Sequence, residues 1–492
     1  MHKGNSGFRP ALETALEAAL AHLENVDTTP VSAAADLGSL RRRLGKMLAA
    51  EGLPAEQVIS ELADDVRGGI LGTASGRFFG WVVGGSLPAA LAADWLTAAW
   101  DQNAVLYASG PAAAVAEEIA GGWLKDILGL PERASFALVS GCQMAHVTCL
   151  AAARHALLRQ QAWDIEQKGL FGAPPVRILA NADAHGSIER AVRLLGIGRS
   201  QMFFVPADEL GRMRPDGLET ALRQGTECAS IVVLQAGDIH TGAFDDFEAL
   251  SLIAKSYEAW VHVDGAFGLW AAASPRYKHV TRGIERADSW ATDGHKWLNL
   301  PFDCGYAFVA NPEAHRAAMS HRASYLEFAA EVRDPADWNP EWSRRARGFP
   351  TYAALRQLGR KGIANLVERC CAHAQALVRR IGELPDAEVL SWPVINQGLV
   401  RFRDPDPNAS ESHHAVRTDQ VIAAILASGE AFFTGSDWKG RRVMRVSVCN
   451  WQTSENDVNR AIAAVQRAIA MTGGRETTAA AGTAPDPISQ SR

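Results

Sequence analysis

The sequence predicts an α/β protein, with a large domain built on a mostly parallel sheet and a smaller α+β domain after it. Two observations carry this prediction. From residue 136 onward, short apolar runs alternate with helical patterns, which is the order typical of β-α-β units. From residue 350 the pattern changes to one long helix, followed by strands among helices that carry no recognisable reactive motif.

Length, composition and charge narrow the class of protein. A chain of 492 residues exceeds one typical domain and can bury a large core. The net charge of −6 comes from interspersed signs, which favours neither nucleic acid nor a membrane surface as partner. The seven cysteines show no pairing or zinc-binding spacing, and no apolar run has the length of a membrane span or the pattern of a signal peptide. We therefore expect a cytoplasmic enzyme that acts on a small molecule and needs no metal.

The N-terminal segment, residues 1–92, is predicted to be helical. Its first helix, at residues 10–25, carries leucines at helical spacing, and a second helix is expected at residues 54–66. The leucine stripe needs an apolar partner. Packing within the chain and contact with a second copy are both open at this point.

The large domain is assigned to residues 93–349 and the small domain to residues 350–471. Residues 472–492, rich in Thr, Ala, Gly and Pro, are expected to be disordered. Strands of the large domain are predicted at residues 136–140, 176–180, 202–205, 230–234, 260–264, 288–293 and 304–309. In the small domain, a helix at residues 350–381 precedes strands at 389–391, 398–402 and 442–448.

An acid and an amine follow two successive apolar runs. Asp264 closes the run W-V-H-V-D, and Lys296 follows the run that ends in T-D-G-H. Because parallel strands share the edge at which their carboxyl ends meet, the two side chains are expected at the same edge of the sheet. A lone lysine would be read as a surface residue. Paired with a buried acid, it suits pyridoxal 5′-phosphate (PLP), because the amine forms an imine and the acid keeps the pyridine nitrogen protonated.

The segment Gly141, Cys142 and Gln143 lies between a predicted strand and a predicted helix. Backbone amides at a helix N-terminus bind phosphate without a charged side chain. A plain strand-to-helix turn is the alternative interpretation of this segment.

The motifs H-V-D-G-A and D-G-H-K-W, in this order after the S-G-C turn, resemble the group II PLP-dependent amino-acid decarboxylases of the aspartate aminotransferase fold, fold type I. The resemblance covers residues 70–458 and implies a seven-stranded sheet, PLP as cofactor, an amino acid as substrate, and a homodimer with shared active sites. It implies α-decarboxylation to an amine and carbon dioxide. Decarboxylation-dependent oxidative deamination to an aldehyde, and an aminotransferase or carbon-carbon lyase reaction, remain open.

The same resemblance implies roles for individual residues. Lys296 and His185 are the expected catalytic residues, with His185 lying on the cofactor ring and Ser187 capping the helix that follows it. A polar loop residue is the alternative for His185. The expected cofactor contacts are Gly141, Cys142, Gln143, His185, Asp264, Ala266, Asp293, His295 and Lys296.

Substrate contacts are expected from Trp81, Tyr325 and Arg445. In the decarboxylases a loop tyrosine protonates the substrate carbon after carbon dioxide leaves, and its position aligns with Pro335 here. Tyr325 or His185 would then replace it, or the aldehyde reaction would follow. Arg445 resembles the arginine that binds the substrate carboxylate in aminotransferases, although a sheet-edge arginine paired with a carboxylate is an equal alternative.

Overall fold

The computed structural model describes residues 7–321 and 333–473, which form fourteen α-helices and eleven β-strands. The strands are β1 (Ser135–Val139), β2 (Val176–Asn181), β3 (Met202–Val205), β4 (Ala229–Gln235), β5 (Trp260–Asp264), β6 (Ser289–Asp293), β7 (Gly305–Val309), β8 (Ala387–Ser391), β9 (Gln397–Phe402), β10 (Thr434–Trp438) and β11 (Arg441–Ser447). The helices are α1 (Phe8–Glu24), α2 (Leu37–Leu44), α3 (Ala55–Asp65), α4 (Pro88–Trp100), α5 (Pro111–Ile127), α6 (Cys142–Gln160), α7 (Ile165–Lys168), α8 (Gly186–Leu194), α9 (Pro215–Arg223), α10 (Phe247–Ser256), α11 (Pro312–Met319), α12 (Gly348–Gly382), α13 (Glu411–Ser428) and α14 (Glu455–Thr472).

The large sheet has seven strands in the order β1-β7-β6-β5-β4-β2-β3, and only β7 runs antiparallel to its neighbours. Strands β1, β2, β5, β6 and β7 are buried along their whole length. Continuous burial is expected where helices cover both faces of a parallel sheet, and it explains the unbroken apolar runs in the sequence. The predicted fold class and the seven strands are confirmed.

Strand direction determines where reactive groups can meet. Because β1, β2, β4, β5 and β6 are parallel, the loops that follow them leave from one edge of the sheet. Open α/β sheets bind ligands in the crevice outside the carboxyl ends of their strands. The predicted site residues lie in or next to these loops.

The small sheet is antiparallel, with the order β10-β11-β9-β8, and helices α12, α13 and α14 pack with it. The long helix predicted after residue 350 is α12, which breaks at Gly359, where φ is 58°. A left-handed residue of this kind interrupts the helix at low cost only because glycine lacks a Cβ atom. The α+β character expected for this part of the chain is confirmed. The domain boundaries stay predictions, and residue 92 lies within α4.

A buried ion cluster connects α5 to the segment that precedes α12. The carboxylate of Glu117 pairs with the guanidinium groups of Arg344 and Arg333, and Arg344 Nη1 also donates to the carbonyl of Leu138 at 3.1 Å. Glu117 and Arg344 are both buried. Removing one member of such a cluster leaves an uncompensated buried charge, so the cluster is needed for stability once it has formed.

Among residues 7–321 and 333–473, no helix has the length and apolar character that crossing a membrane requires.

We expect Glu117→Gln to destabilise the fold by about 3–5 kcal/mol, because two buried guanidinium groups lose their anion. Asp126→Asn is the matched control: Asp126 also lies on α5, but it pairs with Arg360 in solvent and should contribute less than about 1 kcal/mol. The measurement is the thermal unfolding midpoint of each variant. Equal shifts for the two variants would show that the cluster contributes no more than a surface pair.

Candidate active site

The carboxyl ends of the parallel strands in the large sheet bring together predicted site residues that are far apart in the sequence. Asp264 ends β5, Lys296 follows β6, His185 follows β2, and Cys142 begins α6 after β1. Sγ of Cys142 lies 3.9 Å from Oδ1 of Asp264, and the charges of His185 and Lys296 both act on that buried carboxyl group, so the four segments meet at one place beyond the carboxyl ends of the strands, called the cleft below.

Lys296 makes its closest ionic contact with a residue of its own motif. Its Nζ lies 3.2 Å from Oδ2 of Asp293, at the end of β6. Burial opposes the charge on the amine, but the carboxylates of Asp293 and Asp264 raise the pKa of Lys296 above its usual value. The amine therefore rests as an ammonium and must pass a proton on before it can act as a nucleophile. Asp293 is the acceptor within reach.

Asp293 also occupies the N-terminus of α6. The amide of Cys142 donates to Oδ1 of Asp293 at 2.6 Å, so this helix end already holds an anionic oxygen. His295 accepts the amide of Cys304 with Nδ1 at 3.1 Å and directs Nε2 towards the same Oδ1 at 3.5 Å. A neutral His295 therefore carries its proton on Nε2, facing the anion.

Gly141 and Gly305 allow the backbone segments at the N-terminus of α6 to lie close together. A Cβ atom on Gly141 would lie 3.1 Å from the ring of His295 and 3.4 Å from Asp293 Oδ1. One on Gly305 would lie 2.5 Å from the backbone of Gly141. The backbone therefore approaches the anion-binding position closely because side chains are absent there.

Asp264 is buried at the end of β5, and Oδ1 accepts the amide of Ala266 at 3.1 Å. Burial would raise the pKa of this carboxyl group. The charge and hydrogen bond of His146, together with the charges of His185 and Lys296, instead hold its pKa far below the usual value. Asp264 is therefore an anion at every physiological pH.

A chain of buried polar groups runs behind Asp264. Nε2 of His146 lies 3.5 Å from Asp264 Oδ2, and Nδ1 of His146 lies 2.9 Å from Nε2 of His262. Nδ1 of His262 in turn lies 2.9 Å from the hydroxyl of Ser289, which also accepts the indole N–H of Trp260 at 2.9 Å. Burial, followed by the charge of His146, lowers the pKa of His262 to about 3, so this ring is neutral.

The sequence analysis did not identify His146 or His262 as part of the site. Two signals pointed to them. His146 follows Cys142 by one helical turn, and His262 precedes Asp264 by two residues on the same face of β5. Neither spacing reveals that the helix and the strand lie in contact, so the pairing of the two histidines is a tertiary feature.

His185 caps α8, and here the sequence-based prediction was wrong. The predicted cap was Ser187, but the amide of Ser187 donates to Nδ1 of His185 at 3.3 Å, and helix α8 begins at Gly186. Because Nδ1 accepts a backbone N–H, a neutral His185 carries its proton on Nε2. Gln143 donates to the carbonyl of Ser187 at 3.2 Å and so connects α8 to the start of α6.

Trp81 belongs to a segment that lies against the lysine. A Cβ atom on Gly84 would meet the carbonyl oxygen of Lys296 at 2.0 Å, so the two backbones are in direct contact. Trp81 itself has φ of 48° and leaves 48% of its surface exposed. Its ring lies 5.3 Å from that of Phe432. A tryptophan held in a left-handed conformation is costly to place. Its predicted contact with the substrate stays a prediction.

Arg445 is buried on β11, which pairs with β9 and β10 on its two sides and is therefore not an edge strand. Its Nε and Nη2 find no hydrogen-bond partner in the described part of the chain. Burial lowers the pKa of Arg445 to about 10, although the negative charge of Asp238 acts to raise it. Burial and the charge of Arg445 together lower the pKa of His240 to about 4. The charge of Arg445 also contributes to the lowered pKa of His185, after burial and nearer charges.

Pro335, at the position expected for the loop tyrosine, is buried in a short 3-10 helix (Pro335–Asp337). The amide of Ala336 next to it donates to the carbonyl of Val105 at 2.9 Å. Proline offers no proton donor, so this position cannot perform the tyrosine's role. Tyr325 lies outside the described residues.

These groups fit PLP by their chemistry. The cleft offers an amine for the aldehyde, a permanently ionised buried acid for the pyridine nitrogen, and a helix N-terminus that already binds an oxygen anion. An α/β protein with this donor set at the carboxyl edge of its sheet is a PLP enzyme of fold type I.

Comparison with known proteins identifies the family. The model of the pyridoxal-dependent decarboxylase conserved domain matches residues 38–404. The chain therefore belongs to the pyridoxal-dependent decarboxylase family; its cofactor is PLP, and it is a PLP-dependent carboxy-lyase.

Individual relatives agree with this assignment. The chain is 25% identical to an aromatic-L-amino-acid decarboxylase of Bacillus atrophaeus, over 90% of this chain and 92% of the relative. It is 24% identical to a 4-hydroxyphenylacetaldehyde synthase of Rhodiola rosea, over 84% of this chain and 85% of the relative. The crystal structure of Oryza sativa TDC with PLP and tryptamine superimposes with a TM-score of 0.90 at 23% identity, covering 96% of this chain and 100% of that one. At this identity the structural match supports the fold.

Lys296→Ala should abolish the visible absorption band of the lysine-bound cofactor, because no other described residue presents an amine beside Asp293 and Asp264. Lys278→Ala, which removes an exposed lysine, serves as the control and should keep the band. The measurement is the absorption spectrum of each protein purified with added PLP. An unchanged spectrum in the Lys296 variant would contradict the assignment of this residue.

Proposed function

We propose that the protein removes the α-carboxyl group of an aromatic L-amino acid, releasing carbon dioxide and an amine. The observation that carries this proposal is the placement of the Lys296 amine and the ionised Asp264 at neighbouring strand ends in a member of the decarboxylase family. The aromatic substrate is supported by the names of the relatives and by the exposed ring of Trp81, which lies three residues before the Gly84 backbone that contacts Lys296.

The role of each residue follows from its contacts. Bound PLP withdraws electrons from the substrate carbon when its ring nitrogen carries a proton. Asp264 favours that proton because its own carboxyl group stays ionised. Lys296 passes its ammonium proton to Asp293, 3.2 Å away, and becomes the nucleophile. The α6 N-terminus, with His295 beside it, would hold the phosphate group of the cofactor.

The proton that replaces the lost carboxyl group needs a donor. Pro335 supplies none, whereas Nε2 of His185 carries a proton because Nδ1 accepts the amide of Ser187. We assign His185 as the general acid in its imidazolium form, in which Nδ1 donates to the hydroxyl of Ser187, 2.8 Å away, and Nε2 gives up its proton and leaves a neutral imidazole. Burial lowers the pKa of His185, which makes this imidazolium a minority species but a stronger acid.

Two other reactions are supported by particular observations. A slow proton transfer would allow dioxygen to intervene, giving an aldehyde, ammonia, carbon dioxide and hydrogen peroxide; Pro335 and the aldehyde-synthase relative favour this outcome. The free donors of Arg445 favour a reaction that keeps the substrate carboxylate bound, as in an aminotransferase or a carbon-carbon lyase.

We also propose that the protein is a cytoplasmic homodimer with shared active sites and that its domains divide at residues 92, 349 and 471. An exposed apolar stripe on α1 supports the dimer: Phe8 is 70%, Leu12 57%, Leu16 43% and Leu20 45% exposed. A monomer would leave this stripe in water, although α1 already packs against α3 on its other side. The seven unpaired cysteines are compatible with a reducing compartment.

The reaction is tested by supplying the holoenzyme with a panel of amino acids and measuring carbon dioxide, amine, aldehyde, hydrogen peroxide and keto acid in the same samples. Amine equal to carbon dioxide is the expected result. Equal amounts of aldehyde and peroxide would contradict simple decarboxylation and would identify the reaction as oxidative deamination. Formation of keto acid without carbon dioxide would identify the enzyme as an aminotransferase, in which Arg445 would bind the substrate carboxylate.

His185→Gln should lower kcat about 100-fold or more, the range by which a general acid accelerates a reaction. It should also raise the ratio of carbon dioxide to amine, since the carbon waits longer for its proton. His279→Gln, at an exposed histidine, is the control. A variant that keeps a ratio of one and loses only PLP affinity would show that His185 positions the cofactor and donates no proton.

The dimer is tested by sedimentation of Leu12→Glu/Leu16→Glu. These substitutions place charges on the apolar stripe and should shift the population towards a monomer with reduced activity. Glu13→Gln/Glu17→Gln, on the charged part of the same helix, should leave the dimer intact. Wild-type enzyme that sediments as a fully active monomer would rule the proposal out.

A further inference from the structure

Three unlike donor atoms converge behind the cofactor cleft. Sγ of Cys142 lies 3.4 Å from Nε2 of His146 and 3.9 Å from Oδ1 of Asp264, and His146 Nε2 lies 3.5 Å from Asp264 Oδ2. All three side chains are buried, and one donor atom from each lies within 4.8 Å of the others. A thiol, an imidazole and a carboxylate are the three side-chain groups that bind zinc in proteins.

The separations suit a tetrahedral ion. Metal-to-ligand distances of about 2.3 Å for sulfur and about 2.0–2.2 Å for nitrogen and oxygen place neighbouring ligands of a tetrahedron roughly 3.3–3.6 Å apart. The 3.4 Å between Cys142 Sγ and His146 Nε2 and the 3.5 Å between His146 Nε2 and Asp264 Oδ2 lie in this range. The 3.9 Å contact of Cys142 runs to the other carboxylate oxygen, Oδ1, so one oxygen of Asp264 must turn towards both partners when the ion binds.

We propose that, in the cofactor-free chain, Cys142, His146 and Asp264 bind one divalent transition ion of the zinc and cobalt class, and that this ion competes with PLP. Binding removes the proton of the Cys142 thiol and the proton that His146 Nε2 carries when it donates to Asp264; both protons pass to solvent, with no change of oxidation state. Three protein ligands leave the fourth position to water. The competition rests on the proposed role of Asp264, which cannot serve the ion and the cofactor ring together.

The surroundings orient the imidazole for this role. Nδ1 of His146 bonds to Nε2 of His262 at 2.9 Å, and His262 bonds to Ser289 at 2.9 Å. Metal-binding histidines usually use their second nitrogen in this way, which fixes the ring and leaves the other nitrogen for the ion. The sulfur donor selects zinc or cobalt over magnesium and calcium, which prefer oxygen ligands.

No metal was expected from the sequence, because neither the cysteine spacing nor an H-E-x-x-H motif indicates a metal site. Cys142 and His146 lie one helical turn apart on α6, and Asp264 comes from β5. The site is therefore assembled by the packing of α6 against the sheet. The thiol of Cys142 has no role in the proposed reaction, whereas in this site it is a metal ligand.

The test is a titration of the cofactor-free full-length protein with Co²⁺, followed by thiolate-to-cobalt charge-transfer absorption. We expect one Co²⁺ per chain, displaced by Zn²⁺. Cys142→Ser should remove the charge-transfer band. Cys149→Ser is the matched control: it replaces another buried cysteine on the same helix, whose sulfur lies 3.5 Å and 3.6 Å from the backbone carbonyls of Trp290 and Phe308 and is not one of the three donors, so the band should stay unchanged.

His146→Gln provides a second variant, read by equilibrium dialysis of Co²⁺ alongside circular dichroism to verify folding. This variant should lose more than the roughly 10–100-fold in Co²⁺ affinity that is typical when a residue hydrogen-bonded to a metal ligand is replaced. Absence of the band in the wild-type chain, or its persistence in Cys142→Ser, would overturn the site. Unchanged affinity in a folded His146→Gln would do the same.

The competition is tested separately by loading the protein with PLP first. Co²⁺ uptake should then fall at least about 10-fold, as expected when the two ligands exclude each other. Equal uptake with and without PLP would overturn the competition. Metal binding by the cofactor-free chain is independent of the reaction, so failure of the amino-acid panel and failure of the Co²⁺ titration are distinguishable.

Discussion

The structure of the cleft depends on keeping one buried carboxylate ionised. Burial alone would protonate Asp264, since desolvation disfavours a charge. The neighbouring elements oppose this effect: α6 contributes His146, the loop after β2 contributes His185, and the loop after β6 contributes Lys296. Each of these positive or polar groups comes from a different part of the chain, so the charge is maintained only when the whole sheet edge has assembled.

A second anion organises the other end of the cleft. Asp293 binds both the Lys296 ammonium and the amide of Cys142, and it therefore connects the nucleophile to the helix N-terminus before any ligand arrives. A phosphate group has the same preference for that amide. A phosphate group bound at this helix N-terminus would have to share the Cys142 amide with the Asp293 carboxylate or displace that carboxylate.

Much of the site could be predicted from the sequence, because local order reports it directly. An acid and a lysine that close successive apolar runs must lie at one edge of a parallel sheet. The cap of α8 could not be predicted as easily, since His185 and Ser187 both stand at a strand-to-helix turn and both accept hydrogen bonds. Backbone conformation decided it: His185 has extended φ and ψ, whereas Ser187 is already helical.

The sequence by itself determined the fold class, the family and the positions of Lys296 and Asp264, because each of these is encoded in contiguous residues. Only the tertiary structure decided what lies beside them. The bond between His146 and His262 arises from packing between distant elements, and so does the burial of Arg445 on an inner strand, where Nε and Nη2 have no partner within residues 7–321 and 333–473. Hydrophobic patterning specifies which face of an element is buried, but it does not specify which polar groups meet there, since that depends on the register of helix against sheet.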